Sequence, residues 1–179
     1  AVVPGRPDAV AVSMQNLRDL VAYQGGLAMP RRVTPPGRVS RITFRDAHSA
    51  VATDDTTTAF WAYRIGFDPA EGLTLTRSLP ELAGGFSAGL HLGNQHVITD
   101  AGHIFNEIEE TLEGALPRGA NLFSLDRVAV DRRGERIFAV SVLRQTLNVY
   151  RESPLALTAT YRIDAPSGSA RRLLITPHS

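Results

Sequence analysis

The stretch "HLGNQHVITDAGH" gathers His91, His96, Asp100 and His103 within one short segment. Imidazole nitrogens and a carboxylate are the donors that hold zinc or another divalent ion. Read as a β-strand, the segment alternates its side chains between faces. His96, Ile98 and Asp100 then share one face, and His103 returns on the next strand after an Asp-Ala-Gly turn. The spacing follows no strict metal signature, so the same four residues also read as half-exposed strand and turn side chains. No metal and no cofactor is assigned to them.

Other candidates are weaker. "ATDDTTTAF" places Asp54 and Asp55 before three threonines. Paired acids in a loop can bind calcium, yet the alternating acidic ladder and closing glutamate of a calcium loop are missing. Hairpin-loop acids bonding their own backbone are the alternative. Glu107, Glu109, Glu110 and Glu113 of "EIEETLE" read as a solvated edge, since sequence neighbours do not define a glycosidase pair. No Gly-x-Ser-x-Gly elbow is present, and His48 beside Ser49 falls in an expected strand. Phe60, Trp61 and Tyr63 in "AFWAYRI" put Trp61 and Tyr63 on one face, as an aromatic ligand wall or, more simply, as core. The arginine pairs in "DRRGER" and "ARRLL" lie at turns and read as solvent-facing. No catalytic, binding or metal residue is therefore assigned.

Composition narrows the classes of function. The chain has 179 residues, 43% of them hydrophobic, so it suits a folded domain. Nineteen basic side chains balance eighteen acidic ones, for a net charge of +1. That balance gives no electrostatic reason to expect nucleic acid or an anionic membrane as partner. No apolar run reaches the roughly 18 residues that span a bilayer. The opening "AVVPGRPD" carries no leader pattern, and a mature secreted chain would read the same. Cysteine is absent, which removes disulfides, thiolate catalysis and Cys-ligated zinc. Lysine is absent as well, so Schiff-base chemistry and a Gly-Lys-Ser/Thr phosphate loop have no residue to use.

These side chains must be placed by strands. "RVAV", the turn "DRRGE", "RIFAVSV", "TLNVYRE" and "TATYRI" spell four short β-segments in about 40 residues, with Gly134 expected at positive φ in the turn. The pattern recurs as "GRVSRITF", "HSAVAT", "TAFWAYRIGFD" and "LTLTRSLP". It recurs again as "FSAGLHL", "HVITDAG", "HIFNEIEE" and "TLEGALP". Pro36, Pro80, Pro117 and Pro166 close the units at intervals of 44, 37 and 49 residues. Val10 to Ala22 also overlays Val128 to Val140 without a gap, sharing Val-Ala-Val and a later arginine. Four antiparallel strands repeated near 40 residues predict a β-propeller blade, whose two apolar faces are covered by stacking neighbours. The expected fold is all-β: about four blades at 8–36, 37–80, 86–117 and 122–166, with a partial unit at 169–179. A β-sandwich is the alternative. "NEIEETLEGAL" (106–116) is read as a rim hairpin, with a helical turn as the competing reading.

"VAVDRRGERIFAV" resembles the blade phrase of bacterial propellers of the YVTN or lactonase-like type. The likeness is good over Leu122 to Pro166, weak in the units before it and partial in the first 36 residues. It implies blade architecture and, weakly, a secreted or periplasmic setting. It implies no activity, because such propellers serve as enzymes, binding platforms and surface proteins. Two expectations about function follow. The first is a non-catalytic propeller domain that binds a protein, either further blades or a second chain. The second is a lactonase-like metal-dependent hydrolase with its site in the channel.

The strand pattern also makes packing expectations. Val128, Val130, Phe138 and Val140 should be buried, and so should Val10, Val12 and Leu20. "VAV" should be an innermost strand covered on both faces, and the first unit, with three strands, should lack its fourth. "RRLLITP" near the end reads as a lone strand. Because Val10 already supplies an innermost strand, the chain is expected to be an open arc rather than a self-closed ring.

Overall fold

The computed structural model describes residues 1–14, 18–54, 61–79, 89–100, 102–106, 111–116, 127–141 and 144–164. All regular structure among them is β, in sixteen strands. Two compact units divide the chain, Ala1–Ala88 and Gly89–Ser179.

The first unit holds two four-stranded antiparallel meanders. One runs β1 (Val2–Val3), β2 (Arg6–Met14), β3 (Asp19–Gln24) and β4 (Leu27–Val33). The other runs β5 (Arg41–Phe44), β6 (Ser49–Thr53), β7 (Ala62–Asp68) and β8 (Gly72–Leu79). A parallel bridge between Arg31 and Gly72 joins β4 to β8, so the eight strands form one sheet in the order β1-β2-β3-β4-β8-β7-β6-β5. Register places Ala11 opposite Ala22 and Leu20 opposite Val33 on one face of the first meander. Ala50 opposite Ile65, and Ala52 opposite Tyr63, mark the matching face of the second. These two faces share one apolar core with Met29, Phe44, Phe67 and Leu73.

The second unit repeats the plan. β9 (Leu90–Leu92), β10 (His96–Thr99), β11 (His103–Asn106) and β12 (Thr111–Ala115) form one meander. β13 (Arg127–Asp131), β14 (Arg136–Ser141), β15 (Thr146–Arg151) and β16 (Ala156–Arg162) form the other. Ile98, Ile104 and Leu116 from the first pack with Val128, Ile137, Ala139 and Tyr150 from the second. The hairpin at 106–116 is a strand pair: its arms are β11 and β12, while residues 107–110 lie outside the described part. Helical spacing over Thr111–Ala115 is therefore not realised.

Several expectations need correction. The first meander does not lack a strand: the Pro4-Gly5 turn, with Gly5 at φ 74°, folds Val2–Val3 back onto β2. Proline followed by glycine is the pair that such a turn favours. "VAV" of β2 is consequently the second strand in its order, not the first. Nor is it covered on both faces. Val12 is 39% exposed and Val10 half-buried, because Ala9 and Ala11 take the core side. Leu20 and Val128 are fully buried and Val140 is buried, as expected. Val130 is only partly buried against the core. Phe138 is half-buried on the face opposite Ile137 and Ala139, with the Arg136 guanidinium 5.6 Å from its ring centroid.

The turn glycine also serves a different purpose. Positive φ falls on Glu135 (50°), not on Gly134. Gly134 is required for space, since a Cβ there would stand 2.5 Å from Asp131 Oδ2 and 2.8 Å from Arg136 Nε. His48 sits in the β5–β6 turn, outside the strand expected for it, and β6 begins at Ser49. The "RRLLITP" segment lies outside the described residues.

Candidate functional site

The acids at the hairpin tips are held by backbone amides. At the hairpin tips, Asp46 accepts N–H bonds from His48 and Ser49, and Asp68 from Ala70 and Glu71. Asp131 accepts one from Gly134 and pairs with Arg136. These contacts shape turns, because a short carboxylate can satisfy the N–H groups two and three residues ahead. The Asp131 carboxyl lies below the ordinary range, chiefly through its Arg136 bond and the Gly134 N–H.

A second use of acids recurs at strand ends. β6 closes in Thr53-Asp54 and β10 in Thr99-Asp100. Asp54 is fully buried, and its Oδ2 accepts the Arg38 N–H at 3.0 Å. Asp100 Oδ2 accepts the Gly89 N–H at 3.0 Å. In both cases the acid anchors the segment that enters the first strand of its meander, and a glycine lies against the carboxylate. A Cβ on Gly37 would meet Asp54 Oδ2 at 2.4 Å, and one on Gly89 would meet Asp100 Oδ2 at the same distance. Trp61 and Tyr63, the expected aromatic pair, stack beside the first anchor with centroids 6.2 Å apart. Tyr63 is buried, and its hydroxyl accepts the Gly37 N–H at 3.0 Å. Burial pushes its phenol up to about 12, against the Gly37 bond and with help from the Asp54 charge. This is core architecture rather than a ligand wall. Asp55 and Phe60 lie outside the described residues.

The candidate His91, His96, Asp100 and His103 set does not assemble. His91 Nε2 and Asp100 Oδ1 are 2.7 Å apart. His96 shares the face of Ile98 but turns to other partners, and His103 pairs beside Phe105 on the opposite face. Among the described residues no three His, Asp or Glu side chains converge as a metal-binding group. Burial raises the Asp100 carboxyl, but the bond and charge of His91, the Gly89 N–H and the Arg127 charge outweigh it and leave it below 3.8.

That depression sets a pH dependence. The anchor contributes stability above the unfolded carboxyl value and loses it as pH falls through the lower folded value. Thermal melts between pH 5 and pH 2 are expected to show this loss below about pH 4. Asp100→Asn should melt lower at pH 6 and show a shallower acid limb. An unchanged acid limb in the variant would remove Asp100 from this role.

Sequence reasoning missed a polar group centred on His96. His96 is buried, with Nδ1 3.1 Å from Glu152 Oε1 and Nε2 2.9 Å from Glu113 Oε2. Glu152, in the β15–β16 turn and 2% exposed, also accepts the N–H groups of Asn94 (2.6 Å) and Gln95 (3.2 Å). Asn106 Nδ2 donates to Glu113 Oε1 at 2.6 Å. Arg132 Nε donates to the Gly93 carbonyl, and Asn94 Nδ2 to the Arg132 carbonyl. The Glu113 carboxyl is lowered first by the Asn106 bond and, against its slight burial, by the charge and bond of His96. Glu113, expected on a solvated acidic edge, is about one-third exposed and faces His96. Glu107, Glu109 and Glu110 lie outside the described residues.

No protein family matches the chain, and no curated protein matches it.

Proposed function

We propose that the chain is a β-propeller-type domain that binds another protein and performs no chemistry of its own. The observation that carries this reading is the fate of the acids. Asp46, Asp54, Asp68, Asp100 and Asp131 are each engaged by backbone N–H groups in turns and strand entries. A carboxylate so engaged serves the fold rather than a substrate. The propeller arrangement is supported by the repeated four-stranded meander, which occurs four times with a shared apolar face in each pair. Protein binding is supported by β16, an edge strand that exposes Leu157 (53%) and Tyr161 (57%). Edge strands with exposed apolar side chains pair readily with another chain.

One observation favours a sandwich for the first unit. Its two meanders share the β4–β8 bridge, whereas propeller blades stack by their side chains. The test of the functional reading is hydrolysis. The full chain, with and without added divalent cations, should leave a panel of lactones and esters untouched above background. Turnover that disappears in His96→Ala would replace the binding reading with the hydrolase one.

A further inference from the structure

We propose that Nε2 of His96, the carboxylate of Glu113 and the amide oxygen of Asn106 form a binding site for one divalent cation of the zinc and manganese class. Three strands bring the donors together. His96 on β10 stands directly opposite Asn106 on β11. Glu113 is the extra residue of a β-bulge in β12, where the register slips between the pairs Ile104–Gly114 and Phe105–Leu112. Bulges re-aim side chains, and this one sends Glu113 to both His96 and Asn106.

The distances suit shared coordination. Two donors about 2.1 Å from one cation stand about 3.0 Å apart at the right angle of an octahedral ion and about 3.4 Å apart at the tetrahedral angle of zinc. His96 Nε2 and Glu113 Oε2 are separated by 2.9 Å. The Asn106–Glu113 contact, 2.6 Å, is short for an amide donor. Amide nitrogen and oxygen are assigned from their surroundings, and turning the amide presents Oδ1 beside Glu113 Oε1. The third donor is thus an amide beside an imidazole and a carboxylate.

Glu152 completes the arrangement behind the ring. A histidine that binds a metal through one nitrogen commonly donates its other N–H to a carboxylate, which fixes the tautomer and strengthens the ligand. Glu152 occupies that place at Nδ1. It is buried, its Oε2 has no hydrogen-bond partner among the described residues, and Gly93 lies so close that a Cβ would stand 2.2 Å from Oε1. Two carboxylates thus flank one imidazole, and a divalent ion balances their charge. Glu113, about one-third exposed, gives the ion its way in.

This inference does not rest on the absence of catalysis. A bound ion would leave the binding reading intact, and turnover, with or without the ion, would overturn that reading. The test is calorimetric titration of the chelator-treated full chain with zinc and, separately, manganese. One ion per chain is expected for at least one metal, with a rise in melting temperature. Glu113→Gln should weaken binding tenfold or more, Asn106→Ala should also weaken it, and Glu152→Gln should cost about 10- to 100-fold. His91→Asn should bind like the parent. Because Glu113 is partly exposed, Glu113→Gln keeps the fold, as its circular dichroism will verify. Absence of binding, or equal binding by parent and Glu113→Gln, would overturn the site.

Discussion

Replacing Ile137 by alanine is expected to destabilise the second unit by about 3 to 4 kcal/mol, whereas Phe138→Ala should cost only about 1 to 2 kcal/mol. The order is the reverse of what side-chain size suggests. Ile137 is fully buried, pairs with Val130 on one side and Tyr150 on the other, and contributes to the apolar cluster between the two meanders. Its truncation leaves a cavity walled on several sides, and a cavity costs more the less its surroundings can collapse. Phe138 points the other way and is half-buried beneath an exposed arginine, so solvent and a flexible side chain can fill its place. Chemical denaturation of both variants against the parent decides the matter. A larger loss for Phe138→Ala would show that the core lies on the opposite face of β14.

Gly72→Ala is expected to cost the first unit about 3 kcal/mol or more, the sum of two separate strains. Gly72 has φ 109°, a conformation that L side chains rarely adopt. A Cβ there would also stand 2.7 Å from the Arg31 carbonyl oxygen, a backbone atom that cannot swing aside. The Arg31–Gly72 pair is the bridge that unites β4 and β8, and the Arg31 N–H donates to the Glu71 carbonyl at 2.7 Å alongside it. Gly66→Ala is the control. Its nearest contact would be Thr76 Cγ2 at an ordinary 3.5 Å, so it should melt within a few degrees of the parent. Equal melting temperatures for the two variants would show that the bridge does not constrain Gly72.

Local residue patterns account for every strand in three of the four meanders. "HSAVAT" became β6 and "TLNVYRE" became β15 because alternation, β-branched residues and turn acids all act within a few residues of one another. β1 escaped because two residues carry no period, although Pro4-Gly5 marked the turn before β2. The core face of β14 was equally illegible. Ile137, Phe138, Ala139 and Val140 are apolar at every position, so no alternation says which pair faces inward, and pairing with β13 decides it. The same holds for "VAV" of β2, where the small Ala9 and Ala11 take the core and Val12 is left to solvent.

The anchoring acids were half legible. "VATD" and "VITD" repeat at the ends of β6 and β10, a signal present in the sequence, but the glycine each acid meets lies 17 and 11 residues away. The cation site depends on tertiary structure alone. Glu152 is 56 residues from His96 and reaches it only because the two meanders of the second unit share a core. Glu113 faces His96 only because a bulge in β12 turns it there. Local residue patterns specify the period and chemistry of each strand, since those depend on neighbours in the chain. Which side chains meet across strands depends on register, bulges and sheet packing, and these are set by the burial of the whole unit.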